Sequence, residues 1–245
     1  MGNVLITGAA SGIARAAAKR LAGRMTVYAA DIDDAGLGET VDEIAASGGD
    51  AKAIPVDVSD RGSVETMVAA VDGDIDAAFF AAGIHIRGTA ETVSEEDWDR
   101  MIGVHVKGTF LCCQATLRRM RAQGTGGAIV TMSSDYAVMA VPGGAAYCAA
   151  KAAIHSLTKS IAQEFAPDGI RINALGPGPI DTPILKSGRT EEEYEQARKR
   201  LADNLPIGRL GRPEEVAAVV DFLLSERSSY ITGQIVHPNG GQLTW

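Results

Sequence analysis

The chain has 245 residues, with 31 aspartate and glutamate side chains against 23 lysines and arginines, and a formal net charge of -8. This length suits one α/β domain able to bury most of its apolar surface, and with no basic block nucleic acid is not an expected partner. Three cysteines, Cys112, Cys113 and Cys148, lack both a disulfide framework and Cys-x-x-Cys spacing, so reduced thiols and no metal site are expected. The opening MGNVLITG has neither the basic start nor the long apolar core of a signal peptide. No apolar run approaches the ~20 residues that span a bilayer. The expectation is a soluble, cytoplasmic protein with no membrane partner.

In chain order, the first apolar run, residues 3–7, leads into Thr7-Gly8-Ala9-Ala10-Ser11-Gly12-Ile13-Ala14, and a helical pattern follows. A glycine-rich turn between a first strand and a helix can seat a pyrophosphate on exposed amides at the helix N-terminus. Gly8 allows the turn, Gly12 a close approach, and Ala14 takes the packing position; an ordinary βα turn is the competing reading. A second strand, residues 25–30, ends in Asp31. An acid about 20 residues past the glycine turn can accept hydrogen bonds from an adenosine ribose and repels a 2′-phosphate, which favours NAD over NADP. Asp33 or Asp34 is better placed to cap the next helix.

Further strands are expected at residues 51–56, 75–81, 128–132, 170–175 and 234–237. Several are continuously apolar, as in strands covered on both faces of a parallel sheet. Between them lie helix starts: Ser94 with Asp97 resembles a capping box, and Pro213 opens EEVAAVVDFLL at a first helical position. Regular β and α alternation argues a doubly wound parallel sheet of the α/β class. The stretch KSGRTEEEYEQARKRLADN, residues 186–204, is too charged for core and reads as an exposed helical insertion between the last two strands.

The segment AAYCAAKAAI places Tyr147 and Lys151 four positions apart, on one helix face. A lysine in such an apolar helix is costly without a partner. Either both polar tips reach solvent, or the ammonium tunes the phenol. A free phenol titrates near ~10, and an adjacent cation can lower that by about 1–3.

Together, the turn at residues 7–14, Asp57-Val58, Ala81-Ala82-Gly83, Ser134, Tyr147-x-x-x-Lys151, PGPIDT at residues 177–182, YITGQ and Asn239-Gly240-Gly241 resemble a short-chain dehydrogenase/reductase of the small, single-domain type. The resemblance runs end to end. It implies one domain over residues 1–245, a Rossmann-like seven-stranded sheet flanked by helices, and a substrate lid at residues 183–205. Gly8, Ser11, Gly12 and Ile13 would contact the pyrophosphate of NAD, and Asp31, with Ile32 beside it, the adenosine ribose. Asp57 and Val58 would flank the adenine, Ala81 and Gly83 the riboses, and Pro177, Ile180 and Thr182 the nicotinamide. Ser134 would steady the substrate oxygen and Tyr147 would be the acid/base. Lys151 would hold the nicotinamide ribose and lower the tyrosine pKa. A homotetramer is expected on the same ground.

Two positions depart from the family pattern. Phe80-Ala81-Ala82-Gly83 replaces the usual Asn-Asn-Ala-Gly, and His105 stands where the family has an asparagine that supports a helix kink and a water chain to the lysine. His105 is then either a packed core histidine or a relay group, which would titrate near ~6.5 and add an acidic limb to the pH profile. The implied reaction is hydride transfer between a secondary alcohol, or hydroxy compound, and nicotinamide. The alternatives are a 3-oxoacyl-thioester ketoreductase, with Arg118, Arg119 and Arg121 facing an acidic carrier protein, and a catalytically weak dinucleotide-binding regulator. Asp31 argues against the NADP dependence usual in such reductases. A substrate pocket is expected from Asp135, Tyr136, Met139, Pro142, Gly143, Ile184 and Leu185.

Overall fold

Val4, Leu5 and Ile6 have no exposed surface, and neither do Val27, Ala29 and Ala30 on the next strand. Such runs, apolar at every position, must be covered on both faces. The computed structural model, which describes residues 2–186 and 189–243, shows how. Seven parallel strands, β1 Gly2–Thr7, β2 Met25–Asp31, β3 Ala51–Pro55, β4 Ala77–Phe80, β5 Gly127–Met132, β6 Ile170–Leu175 and β7 Ile235–Val236, lie in the order β3-β2-β1-β4-β5-β6-β7. All seven expected strands form. The fourth and last are shorter than the sequence suggests. The Ile75 amide turns to the Gln123 side chain, and the Gln234 amide to that of Asn173.

The helices among the described residues are α1 Gly12–Leu21, α2 Asp34–Ala46, α3 Arg61–Ala69, α4 Glu95–Ile102, α5 Gly108–Gln123, α6 Ala145–Phe165, α7 Pro183–Lys186, α8 Glu191–Asp203 and α9 Pro213–Leu224. One core layer packs Ala17 and Leu21 of α1 and Val220 and Leu223 of α9 on the sheet. The other packs Met67 of α3, Leu117 of α5 and Ile161 of α6 on the opposite face. Between α4 and α5 the chain stays helical but widens to a π turn at Gly103–Lys107, which carries His105.

The caps follow the sequence closely. The Asp33 carboxylate accepts from the Gly36 amide at 3.2 Å and starts α2, leaving Asp31 outside the helix. Ser94 accepts from the Asp97 amide at 3.1 Å, and Pro213 is the first residue of α9. The charged insertion contains α8, opened by a Thr190/Glu193 capping box. Asp181 ties it back by accepting from Tyr194 and from Arg198. Ser187 and Gly188 of that insertion lie outside the described residues. Among those described, no helix is long and apolar enough to cross a membrane. Because β1 connects to β2 on one side and its other neighbour is β4, the sheet reverses winding between β1 and β4. Ligands bind doubly wound sheets at the carboxyl ends of the strands at such a point.

Candidate active site

The glycine-rich turn leaves β1 at Gly8, whose φ of +77 is left-handed and whose added Cβ would stand 2.8 Å from the Ala82 amide nitrogen. A side chain there would drive β1 away from the loop after β4. Ser11 is the N-cap of α1, yet its side chain makes no capping bond, and the first turn carries no acid. The helix's positive end is therefore uncompensated from within the chain, which is the condition for holding an anion.

Asp31 closes the next wall. One carboxylate oxygen accepts from the Ala10 amide at 3.0 Å, and the other from the Ile32 and Asp33 amides at 2.7 and 3.1 Å. These bonds fix the carboxylate at the tip of β2 against the glycine turn. The Asp57 carboxylate accepts from the Ser59 amide and hydroxyl at 2.9 and 2.7 Å, which sets the loop after β3.

Across the cavity, α6 projects Tyr147 and Lys151 one turn apart. The Tyr147 hydroxyl is hydrogen-bonded to Ser134, whose Oγ also accepts from the Tyr136 amide at 3.2 Å. The Ser133 hydroxyl donates to the Lys151 carbonyl at 2.9 Å and pins α6 to the end of β5. Lys151 is buried. Its Nζ donates to the Met132 carbonyl at 2.9 Å and lies 5.5 Å from the Tyr147 ring centroid.

The electrostatics differ from the expectation that Lys151 lowers the phenol. Burial pushes Tyr147 up to about 12, against a smaller lowering from the Ser134 hydrogen bond. Burial likewise brings Lys151 from the ordinary 10.5 down to about 7. Desolvation disfavours the charged form of both groups, and the ammonium points at a backbone carbonyl rather than at the phenolic oxygen.

His105 is buried, with its ring edge-on to Tyr147 at 5.6 Å between centroids. Its Nε2 lies 2.7 Å from the Ile84 carbonyl and 3.2 Å from the Ile84 amide; the shorter contact, to an oxygen that only accepts, assigns the proton to Nε2. Nδ1 is a buried acceptor with no partner among the described residues. Gly83 makes room, since a Cβ there would meet the ring at 2.5 Å. Burial, then the Lys151 charge, lowers His105 to about 3. Of the two readings of His105, packed ring or titrating relay, this burial favours the packed, neutral ring.

One cavity of about 900 Å³ joins these groups. Every expected cofactor and catalytic residue lines it: Gly8, Ser11, Gly12, Ile13, Asp31, Ile32, Asp57, Val58, Ala81, Gly83, His105, Ser134, Tyr147, Lys151, Pro177, Ile180 and Thr182. Of the expected substrate pocket, Asp135, Tyr136, Pro142, Gly143, Ile184 and Leu185 line it as well. Met139 does not; its carbonyl instead faces the Cys148 thiol. The cavity fits an extended dinucleotide: an anion cradle at Ser11, a ribose acceptor at Asp31, and a buried proton-transfer group at the far end. Among the described residues no cluster of acids, histidines and cysteines could hold a metal ion. The three cysteines are unpaired thiols, and burial pushes Cys113 up to about 12.

The sequence reading missed two features. Arg87, Arg100, Arg189 and Arg200 also line the cavity. Behind Ser134, the buried Asp135 accepts from His237 Nδ1 at 2.6 Å, and the His237 ring meets that of His155 at 5.8 Å. These partners come together only through the fold, and no local pattern marks them.

Comparison with known proteins agrees with this geometry. The profile of a family described as enoyl-(acyl carrier protein) reductase matches residues 8–242. The chain is 39% identical to 3-oxoacyl-(acyl-carrier-protein) reductase FabG of Thermotoga maritima, covering 97% of this chain and 96% of that protein. It is 38% identical to (3R)-3-hydroxyacyl-CoA dehydrogenase of Homo sapiens, covering 97% and 94%. A solved short-chain type dehydrogenase/reductase from Mycobacterium marinum superposes with a TM-score of 0.93 at 34% identity, over 100% of this chain and 96% of that one. The whole-length profile match, the relatives and the shared seven-stranded parallel sheet establish that this chain belongs to the short-chain dehydrogenase/reductase family of oxidoreductases.

Proposed function

We propose that the protein transfers hydride between NAD and a secondary alcohol/ketone pair, with Tyr147 as the proton-transfer group. The observation that carries this reading is the meeting of Ser134, Tyr147 and Lys151 on one cavity wall whose other end is Asp31. The bound nicotinamide supplies or accepts the hydride. Ser11 and its neighbouring amides take the pyrophosphate. Asp31, already oriented by three amides, accepts from the ribose hydroxyls. Around it the cavity is lined by Ile32, Asp33, Asp57 and Ser59, with no lysine or arginine at that end to receive a 2′-phosphate.

Tyr147 and Ser134 hold the substrate oxygen. With its pKa raised to about 12, the phenol is protonated at neutral pH and poised to donate to an oxyanion forming on a carbonyl. Ser134 stabilises the same charge. Carbonyl reduction is therefore the better served direction near neutrality, and alcohol oxidation gains as pH rises. Lys151 holds the nicotinamide ribose. The segment at residues 183–205 acts as the lid, and the assembly is a homotetramer, which light scattering coupled to gel filtration tests.

Tyr147→Phe keeps the ring and removes the proton. It should lower kcat by roughly 10²–10⁴-fold, with NADH binding by calorimetry largely unchanged. A variant within a few-fold of wild type would place the proton donor elsewhere. The names of the acyl-thioester relatives favour a second reading, a 3-oxoacyl-thioester reductase. Rapid turnover of a neutral acetoacetyl thioester, but not of simple ketones, would select it.

A further inference from the structure

Charge is largely partitioned along the cavity, the exception being Asp135 at the substrate end, which is paired with His237. Asp31, Asp33 and Asp57 line the adenosine end. At the substrate end stand Arg87 from the loop after β4, Arg100 from α4, Arg189 just before α8, and Arg200 from α8. In a chain of net charge -8 this concentration is selective. Nine other arginines (15, 20, 24, 61, 121, 198, 209, 212 and 227) each lie within salt-bridge distance of a carboxylate. The four cavity arginines have no such partner among the described residues; of the remaining three, which lie outside the cavity and also lack a carboxylate, Arg119 and Arg171 donate to backbone carbonyls, and Arg118 is the third.

Three of the four are neighbours. Arg87 and Arg200 each bear electrostatically on Arg189, which is half-buried and donates to the Leu185 carbonyl. One acid, Glu193, feels both Arg189 and Arg87, but it is outside the cavity lining and its carboxylate already accepts from the Thr190 amide at 2.8 Å in the capping box. The group abuts the chemistry. His85, which feels Arg87 and Arg189, meets the Tyr147 ring at 5.2 Å between centroids, tilted by 57°. Tyr136, which feels Arg200, meets the Tyr147 ring at 6.4 Å. Arg87, Arg100 and Arg200 are exposed; guanidiniums without carboxylates along one cavity repel, and a carboxylate or phosphate among them is the group that relieves it, through charge-assisted and often bidentate bonds. The dinucleotide's own phosphates have a separate cradle, the amides at the start of α1 beside Ser11.

We infer that the substrate is an anionic keto or hydroxy compound of low molecular weight, whose carboxylate or phosphate is received by Arg189 together with Arg87 and Arg200. Arg100 adds long-range attraction. This rests on the hydride-transfer reading above and names its substrate class. A neutral ketone would leave the three guanidiniums unpaired, so discrimination falls on binding rather than on the chemical step.

The test pairs short linear keto acids, and their phosphate-bearing counterparts, with the neutral methyl ester of each acid. Turnover is followed by NADH absorbance. The best acid or phosphate should exceed the neutral ester by about tenfold or more in kcat/KM, carried by KM. Arg87→Gln/Arg189→Gln should remove that advantage, raising KM for the anion about tenfold, with kcat and the ester within a few-fold of wild type. Lys199→Gln removes a charge from the neighbouring helix α8, where Lys199 pairs with Asp203, and should change neither.

A second readout is independent of turnover. Succinate and inorganic phosphate are titrated by calorimetry into the protein saturated with NADH. At least one should bind wild type, and it should lose about tenfold or more in affinity in the double variant. Failure of hydride transfer with every carbonyl, with anion binding and its loss intact, would take down the oxidoreductase reading and leave the anion site standing. A preference for the esters or for a neutral acyl thioester, or anion binding that is absent or indifferent to the two arginines, overturns the inference.

Discussion

Replacing Lys151 by methionine should abolish activity and stabilise the fold. Lys151 is 3% exposed and donates to one backbone carbonyl, and burial lowers it from 10.5 to about 7. At ~1.4 kcal/mol per pH unit, that drop corresponds to ~5 kcal/mol against folding below pH 7 and ~4 kcal/mol at pH 7. The unfolded lysine keeps its proton up to about 10.5 and the folded one loses it near 7. Between these values the unfolded state binds more protons, so wild-type stability rises with pH across that window. Methionine fills a similar volume without charge. Loss of the bond to the Met132 carbonyl gives back ~1 kcal/mol, and relaxation around a buried cation softens the penalty further. A net gain of ~2 kcal/mol at pH 7 is expected. With an unfolding entropy of ~0.5 kcal/mol/K for a chain of this length, that is ~4 °C in Tm. Urea and thermal melts of both proteins at pH 7 and pH 10 provide the assay. The advantage of methionine should shrink toward pH 10. A variant no more stable than wild type at pH 7, or one whose stability follows the same pH slope, would refute the reasoning.

Asp31→Ala should weaken NAD and improve NADP, starting from a wild-type preference for NAD of at least ~tenfold in kcat/KM; equal efficiency of wild type with both cofactors would remove the role given to Asp31. Because only the phenolate accepts a proton and Tyr147 lies near 12, alcohol oxidation should climb by up to ~tenfold per pH unit through the neutral and mildly alkaline range, while carbonyl reduction stays nearly flat; an oxidation plateau already reached near neutrality would mean that the bound state lowers the phenol. His105, brought to about 3, should add no acidic limb, so the pH profiles of wild type and His105→Asn should coincide above about pH 5, whereas His105→Leu, which strands the Ile84 carbonyl, should lose ~1–3 kcal/mol of stability by urea melt. Asp135→Asn weakens the contact to His237 and should lower kcat more than it raises KM if this pair braces Ser134; an unchanged kcat would make the pair packing alone.

The sheet and the reacting groups were legible because each is imposed by one element. A strand covered on both faces carries consecutive apolar residues, as in Val4-Leu5-Ile6 of β1, Val27-Tyr28-Ala29-Ala30 of β2 and Ala128-Ile129-Val130 of β5. A helix brings residues four apart to one face, so Tyr147 and Lys151 declared themselves, and Asp33 took the cap of α2 where an N-cap belongs. What the sequence hid depends on how separate elements meet. The tyrosine pKa is raised first by burial, and the fold aims the ammonium at Met132 on β5 rather than at the phenol. Lys151 and His105 are each shifted most by burial, and burial is a property of everything packed around a residue. His237 reaches Asp135 from 102 positions away. The arginines reach the cavity from a loop, α4 and the segment around α8, and each alone looks like an ordinary surface charge. Only in the fold do they lack carboxylates and face the phenol. The chemistry resides in one helix and the strand end beside it, and so could be read locally. Substrate selection resides where distant segments meet around that helix, and it became visible only when four arginines without carboxylate partners were found lining one cavity.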